Sequence, residues 1–173
     1  SLADVDELLA ANTTRVTKLF ASLKSGTGDD EAALPVGEGT TYDDIWALRF
    51  CLSHEDDAEA LSHARRTLAW RKEHAEMLEL AGKGEKVKKF ASIEKFVAAD
   101  YQGEDKRGNP VYCIRAGVSN PPAMMDAHTK DEVLAFMMYR KELGFRICDE
   151  KTRKTRKLHK LITVNDLNHV SLM

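Results

Sequence analysis

The chain has 173 residues, 43% of them hydrophobic and 31% charged, with a formal net charge of −2. That balance is ordinary for a globular chain and supplies no basic field for bulk nucleic-acid binding. No apolar run approaches the roughly 18 residues of a membrane-spanning helix, and no secretory signal peptide is visible.

The first residue is Ser1 rather than Met, which reads as a leader or longer N-terminal part removed. Three cysteines, Cys51, Cys113 and Cys148, are odd in number and far apart, which speaks against a disulfide framework and a CxxC zinc site. Each sits in an apolar stretch, so the expectation is free thiols in a cytoplasmic or other reducing compartment.

Residues 1–24 carry an amphipathic helix. Leu2, Val5, Leu8, Leu9, Val16, Leu19, Phe20 and Leu23 recur at helical spacing, and Asp4, Asp6 and Glu7 suit the positive end of its dipole. Such a helix packs on its own domain or docks on a protein partner. Its polar face is not rich in Lys and Arg, which disfavours a membrane face. Residues 25–40 hold four glycines, a proline and the acidic run Asp29-Asp30-Glu31, and read as a flexible linker.

Residues 41–100 read as a helical domain. Thr41 caps a helix over 41–52 with Ile45, Leu48 and Leu52 on one face. Ser53-His54-Glu55 makes a turn. A second helix over 56–80 points Ala60, Ala64, Leu68 and Trp70 inward, and Gly82 and Gly84 end it. A third, over 86–99, places Phe90, Ile93, Phe96 and Val97 on one side. Short connections imply an antiparallel arrangement.

Residues 101–173 change character. Gly108-Asn109-Pro110 opens a strand through Val111, Tyr112, Cys113 and Ile114, and Leu161-Ile162-Thr163-Val164 forms another, closed by the turn formers Asn165 to His169. Between them lie a loop at Asn120-Pro121-Pro122 and a capping box, Thr129-Lys130-Asp131-Glu132. The box opens a long helix to about Lys157, with Val133, Phe136, Met137, Leu143 and Ile147 on one face. Methionines at such spacing ordinarily fill a core. A strand, a crossover helix and a strand feed a parallel or mixed sheet. The fold class is therefore α/β: a helical N-terminal subdomain followed by the start of a mixed or parallel sheet with a crossover helix. Two strands leave sheet edges and an apolar face open, so residues 101–173 are expected to be continued by further chain or covered by a partner.

Three stretches, in order and spacing, resemble the CRAL-TRIO family of phosphatidylinositol-transfer and retinaldehyde-binding proteins. Leu48-Arg49-Phe50, Asp56, Ala60, Leu68 and Trp70-Arg71 resemble its N-terminal helical motif. Asp105-Lys106-Arg107-Gly108-Asn109-Pro110-Val111 resembles the entry to its first strand, and Asp166-Leu167-Asn168-His169-Val170-Ser171 a later strand end. The resemblance covers about Tyr42 to Ser171, the helical domain and the N-terminal portion of the lipid-binding domain. It implies non-catalytic binding or transfer of a hydrophobic, lipid-like ligand in an apolar pocket floored by the sheet. Val111, Cys113, Ile162 and Val164 are the pocket-facing candidates, with strand parity open by one residue. The alternative is a structural or interaction subunit that uses the same fold without lipid, reached through residues 2–24 or the open sheet.

Within the matched stretch the sequence departs from the family pattern in two places. His169 stands where the family usually has glycine, and no Lys or Arg occurs between Phe50 and Arg65, where phosphoinositide binders carry a basic pair. A basic run lies at the end of the crossover helix: Lys151, Arg153, Lys154, Arg156, Lys157 and Lys160 are candidates for contact with an anionic membrane surface, peripherally. No glycine-rich phosphate loop, GxSxG elbow or HExxH spacing is present, so no enzyme, cofactor or metal is expected.

Overall fold

The computed structural model describes residues 1–25, 36–83 and 87–170. Most of the linker reading, the Gly84 stop and Ser171 lie outside the described residues. The chain divides into two compact units, Ala3–Ala75 and Ser1–Leu2 with Glu76–Met173.

The first unit holds α1 (Val5–Lys24), α2 (Asp44–Ser53) and α3 (Asp57–Glu73). Asp4 caps α1, its carboxylate accepting from the Asp6 and Glu7 amides. The apolar stripe of α1 is used within the unit: α1 packs on α2 and α3, with Val16, Leu19 and Leu23 buried. Asp43 caps α2 instead of Thr41, because its carboxylate reaches the Trp46 amide at 3.2 Å. The buried tryptophan is Trp46, at 2% exposure, wedged between the rings of Tyr42 and Phe50. Trp70, expected inward, is half-buried and stacks on His74 at 4.5 Å. Leu52, expected on the inner face, is 41% exposed.

The helix expected over 56–80 is two helices. α3 ends at Glu73 and α4 (Ala75–Gly82) follows. His74 causes no covalent break; its ring Nδ1 lies 2.9 Å from the Trp70 carbonyl, which also accepts from the His74 amide, so the side chain competes for the backbone ladder.

The second unit is built on a three-stranded mixed sheet of order β1-β2-β3. β1 (Ala99–Glu104) is antiparallel to β2 (Pro110–Arg115), and β2 is parallel to β3 (Ile162–Asp166). The helix expected over 86–99 shrinks to a 3-10 turn at Lys88–Phe90 and the four-residue α5 (Ala91–Glu94). The reason is competition for the backbone: the Phe96 carbonyl accepts from the Asn120 amide, the Ala98 carbonyl from the Arg115 amide, and the Ala98 amide donates to Ser119 Oγ. The expected loop at Asn120 holds α6 (Pro121–Ala127). Asn120 caps the Ala123 amide, and both prolines sit at first-turn positions whose amides need no partner.

The crossover helix is α7 (Lys130–Thr155), opened by the expected capping box of Thr129 and Glu132. It ends at Thr155, because Arg156 turns left-handed with φ 54°. Phe136, Tyr139, Gly144, Cys148 and Thr152 are buried along it, and Phe90 closes the core against the Phe136 and Tyr139 rings. Met137, assigned to that face from its spacing, is instead 48% exposed.

Candidate functional site

Helix α7 covers one face of the sheet. Tyr101 Oη donates to the Arg140 carbonyl at 3.1 Å, and the Arg140 guanidinium lies 5.8 and 5.4 Å from the ring centroids of Tyr101 and Tyr112. A Cβ at Gly144 would fall 2.8 Å from Tyr101 Oη and 3.0 Å from Leu161 Cδ2, so the close helix–sheet approach depends on glycine there. Burial pushes the Tyr101 phenol up to about 12.

Side chains alternate across a strand, so the residues on either side of each tyrosine in its strand face the other way. Val111 pairs with Ile162 and Cys113 with Val164, two successive apolar rungs on the face opposite α7. Val164 is 45% exposed, and the other three are half-buried. The four pocket candidates therefore share one face. The next rung on that face is Arg115 with Asp166, Nε to Oδ2 at 3.7 Å. Across β1, Asp100 pairs with Cys113 and accepts from Arg140 Nη2 at 3.3 Å.

Two motifs fix this sheet. In the β1–β2 turn Asp105 Oδ1 accepts from the Arg107 and Asn109 amides, both at 2.8 Å, and Gly108 takes φ +82°. The Asn109 amide holds the Asp105 carboxyl down at about 2. Asn109 Oδ1 then accepts from the Lys160 amide at 3.2 Å, tying the turn to the chain that enters β3. The Asp-Lys-Arg-Gly-Asn-Pro string is thus accounted for by turn geometry. After β3, Asp166 Oδ1 accepts from the Asn168 amide, and His169 is left-handed at φ 67°. This turn sits on Gly117, where a Cβ would collide with the Asn168 carbonyl oxygen and lie 2.8 Å from the His169 carbonyl carbon.

The basic run is unevenly exposed. Lys151 pairs with Glu104 and Arg153 with Asp149, each at 2.6 Å, while Lys154, Lys157 and Lys160 are exposed and Arg156 is half-buried. At the α2–α3 turn, cations arrive from α1. Arg15 Nε meets Asp57 at 2.7 Å, its other nitrogens donate to the carbonyls of Cys51, His54 and Glu55, and Lys18 meets Asp57 at 2.9 Å. A cleft of about 200 Å³ beside them is lined by Arg15, Leu19, Cys51, Asp57 and Ala60, among others. Burial pushes the Cys51 thiol up. Among the described residues no disulfide joins the three cysteines, no three metal-ligating side chains come together, and no helix is long and apolar enough to cross a membrane.

Sequence reasoning overlooked β1 and Arg115. The alternation of Ala99 and Tyr101 with Asp100 and Gln102 was a signal for β1, but Gly103, at φ +105° in an irregularity of the ladder, interrupts it. Arg115 lies two residues beyond Cys113, in step with the apolar positions.

No family model matches the chain. A curated protein of Aedes aegypti, "Protein real-time", is 27% identical over 117 residues, covering 67% of this chain and 18% of that protein. The matched stretch thus spans less than a fifth of that relative's length.

Proposed function

We propose that the chain belongs to a non-catalytic protein that binds or transfers a hydrophobic, lipid-like ligand in the manner of the CRAL-TRIO family. One observation carries this reading: two apolar rungs, Val111–Ile162 and Cys113–Val164, stacked on the sheet face that α7 does not cover. Burial of such a face against a ligand contributes about 25 cal/mol per Å² of apolar surface. The left-handed backbone at His169 adds support, since it gives a physical reason for glycine at the corresponding family position. The test is native mass spectrometry of the purified chain, and of any longer parent, for co-purifying lipid, with Val164→Asp as the comparison. Lipid carried by the wild type and lost from the variant supports the reading. Lipid-free protein that takes up no offered lipid sinks it.

A second reading, an interaction subunit using the same fold, is favoured by the place of β3 at the sheet edge. An edge strand offers a row of backbone donors and acceptors to another chain. That reading expects a lipid-free protein whose β3 amides gain hydrogen-exchange protection only with a protein partner.

A further inference from the structure

Three consecutive rungs line the uncovered face, and they differ in kind. Val111–Ile162 and Cys113–Val164 are apolar, and Arg115–Asp166 is ionic. At about 3.3 Å per residue the apolar strip is short along the strands and ends on that ion pair. Charges bordering this face are unequally engaged. Asp100 already accepts from Arg140 at 3.3 Å. Asp166 spends one oxygen on the Asn168 amide. Arg115 is 64% exposed and reaches Asp166 only at 3.7 Å, longer than a hydrogen bond. Its guanidinium offers five donors in a planar fork that matches a carboxylate.

We propose that the ligand of this face is a single-chain amphiphile with a carboxylate head. The first few methylenes next to the head lie along Cys113, Val164, Val111 and Ile162, and the head is held by Arg115. The proposal rests on the hydrophobic-ligand reading and adds the head-group class. A carboxylate takes the fork bidentately, and Asp166 stays on the Asn168 amide. An uncharged head of equal chain length gains the same apolar burial but no charge-assisted hydrogen bond.

The experiment compares palmitate with hexadecanol, both kept monomeric, for binding to the full 173-residue chain and to its Arg115→Gln and Arg115→Lys variants. Wild type should bind palmitate at least about tenfold more tightly than hexadecanol, the margin of one hydrogen bond to a charged group. Arg115→Gln should remove that margin and leave hexadecanol binding unchanged, and Arg115→Lys should keep part of it. An unchanged melting temperature, expected for so exposed a side chain, shows that the variants fold. Equal binding of the two probes by wild type, or a loss of both on Arg115→Gln, overturns the head-group assignment alone. Absence of binding by either probe overturns the hydrophobic-ligand reading and this proposal with it.

Discussion

At the scale of single residues, His169 and Tyr101 make the most direct predictions. A non-glycine residue in the left-handed region costs roughly 1–2 kcal/mol, and His169 occupies it at φ 67°. His169→Gly should therefore stabilise the protein by about 1 kcal/mol, after the greater freedom of glycine in the unfolded chain is subtracted. Thermal unfolding checks this, and a lower melting temperature would contradict it. Tyr101 has the opposite sensitivity. Its folded-state value lies at about 12, above the unfolded value near 10, so the unfolded chain ionises first as alkali is added. This contribution to stability is complete below about pH 10 and is lost as pH rises towards 12. Denaturant titrations across that range should show a steeper decline for wild type than for Tyr101→Phe. Parallel curves would mean that the phenol is not held neutral under α7.

Among the elements, α2 is the keystone of the first unit. Trp46→Ala should cost about 3–5 kcal/mol, because Trp46 is 2% exposed and its ring packs against those of Tyr42 and Phe50. Trp70→Ala should cost less than half as much, since part of that ring already meets water. Chemical denaturation of both variants decides the order. Elements with strong local signals were legible in the sequence: the α7 capping box, the Asn109–Pro110 turn and the β3 run lie where the residues put them. Elements decided by distant partners were not. Residues 96–98 have helix-compatible spacing, yet their backbone is claimed by residues 115–120, and His74 interrupts a helix that no glycine or proline marks. The same division holds for the candidate site. Strand alternation grouped the four apolar residues with parity open by one residue, whereas Arg115 gained meaning only once the register placed it beside Asp166.

For the whole molecule, electrostatics sets an expectation about membranes. Lys154, in the last turn of α7, and Lys157 and Lys160, beyond its end, are exposed, and Lys151 and Arg153 pair with carboxylates. At the α2–α3 turn, Arg15 and Lys18 are committed to Asp57 and to backbone carbonyls. Diffuse lysines attract an anionic surface without selecting a head group. Vesicle flotation should therefore show equal binding to phosphatidylserine and phosphoinositide vesicles of matched charge. Binding should fade as salt rises, with a screening length of about 8 Å at physiological ionic strength. Replacing the three lysines together by Ala should weaken it by about 1 kcal/mol per charge. A salt-resistant preference for the phosphoinositide would contradict this expectation.

The parallel pairing of β2 with β3 also bears on the order in which the sheet assembles. β1 and β2 meet across a short turn, but β3 reaches β2 only after the whole of α7 has been laid down between them. Closing that span costs chain entropy before any β3 contact returns it, so β3 docks last and detaches first. Half of the apolar strip, Ile162 and Val164, rides on this late-joining strand. Amides of β3 should exchange with solvent faster than those of β2 in the unliganded chain. An occupant of the strip would then announce itself as slowed exchange over 162–166, a fingerprint readable before its chemical identity is known.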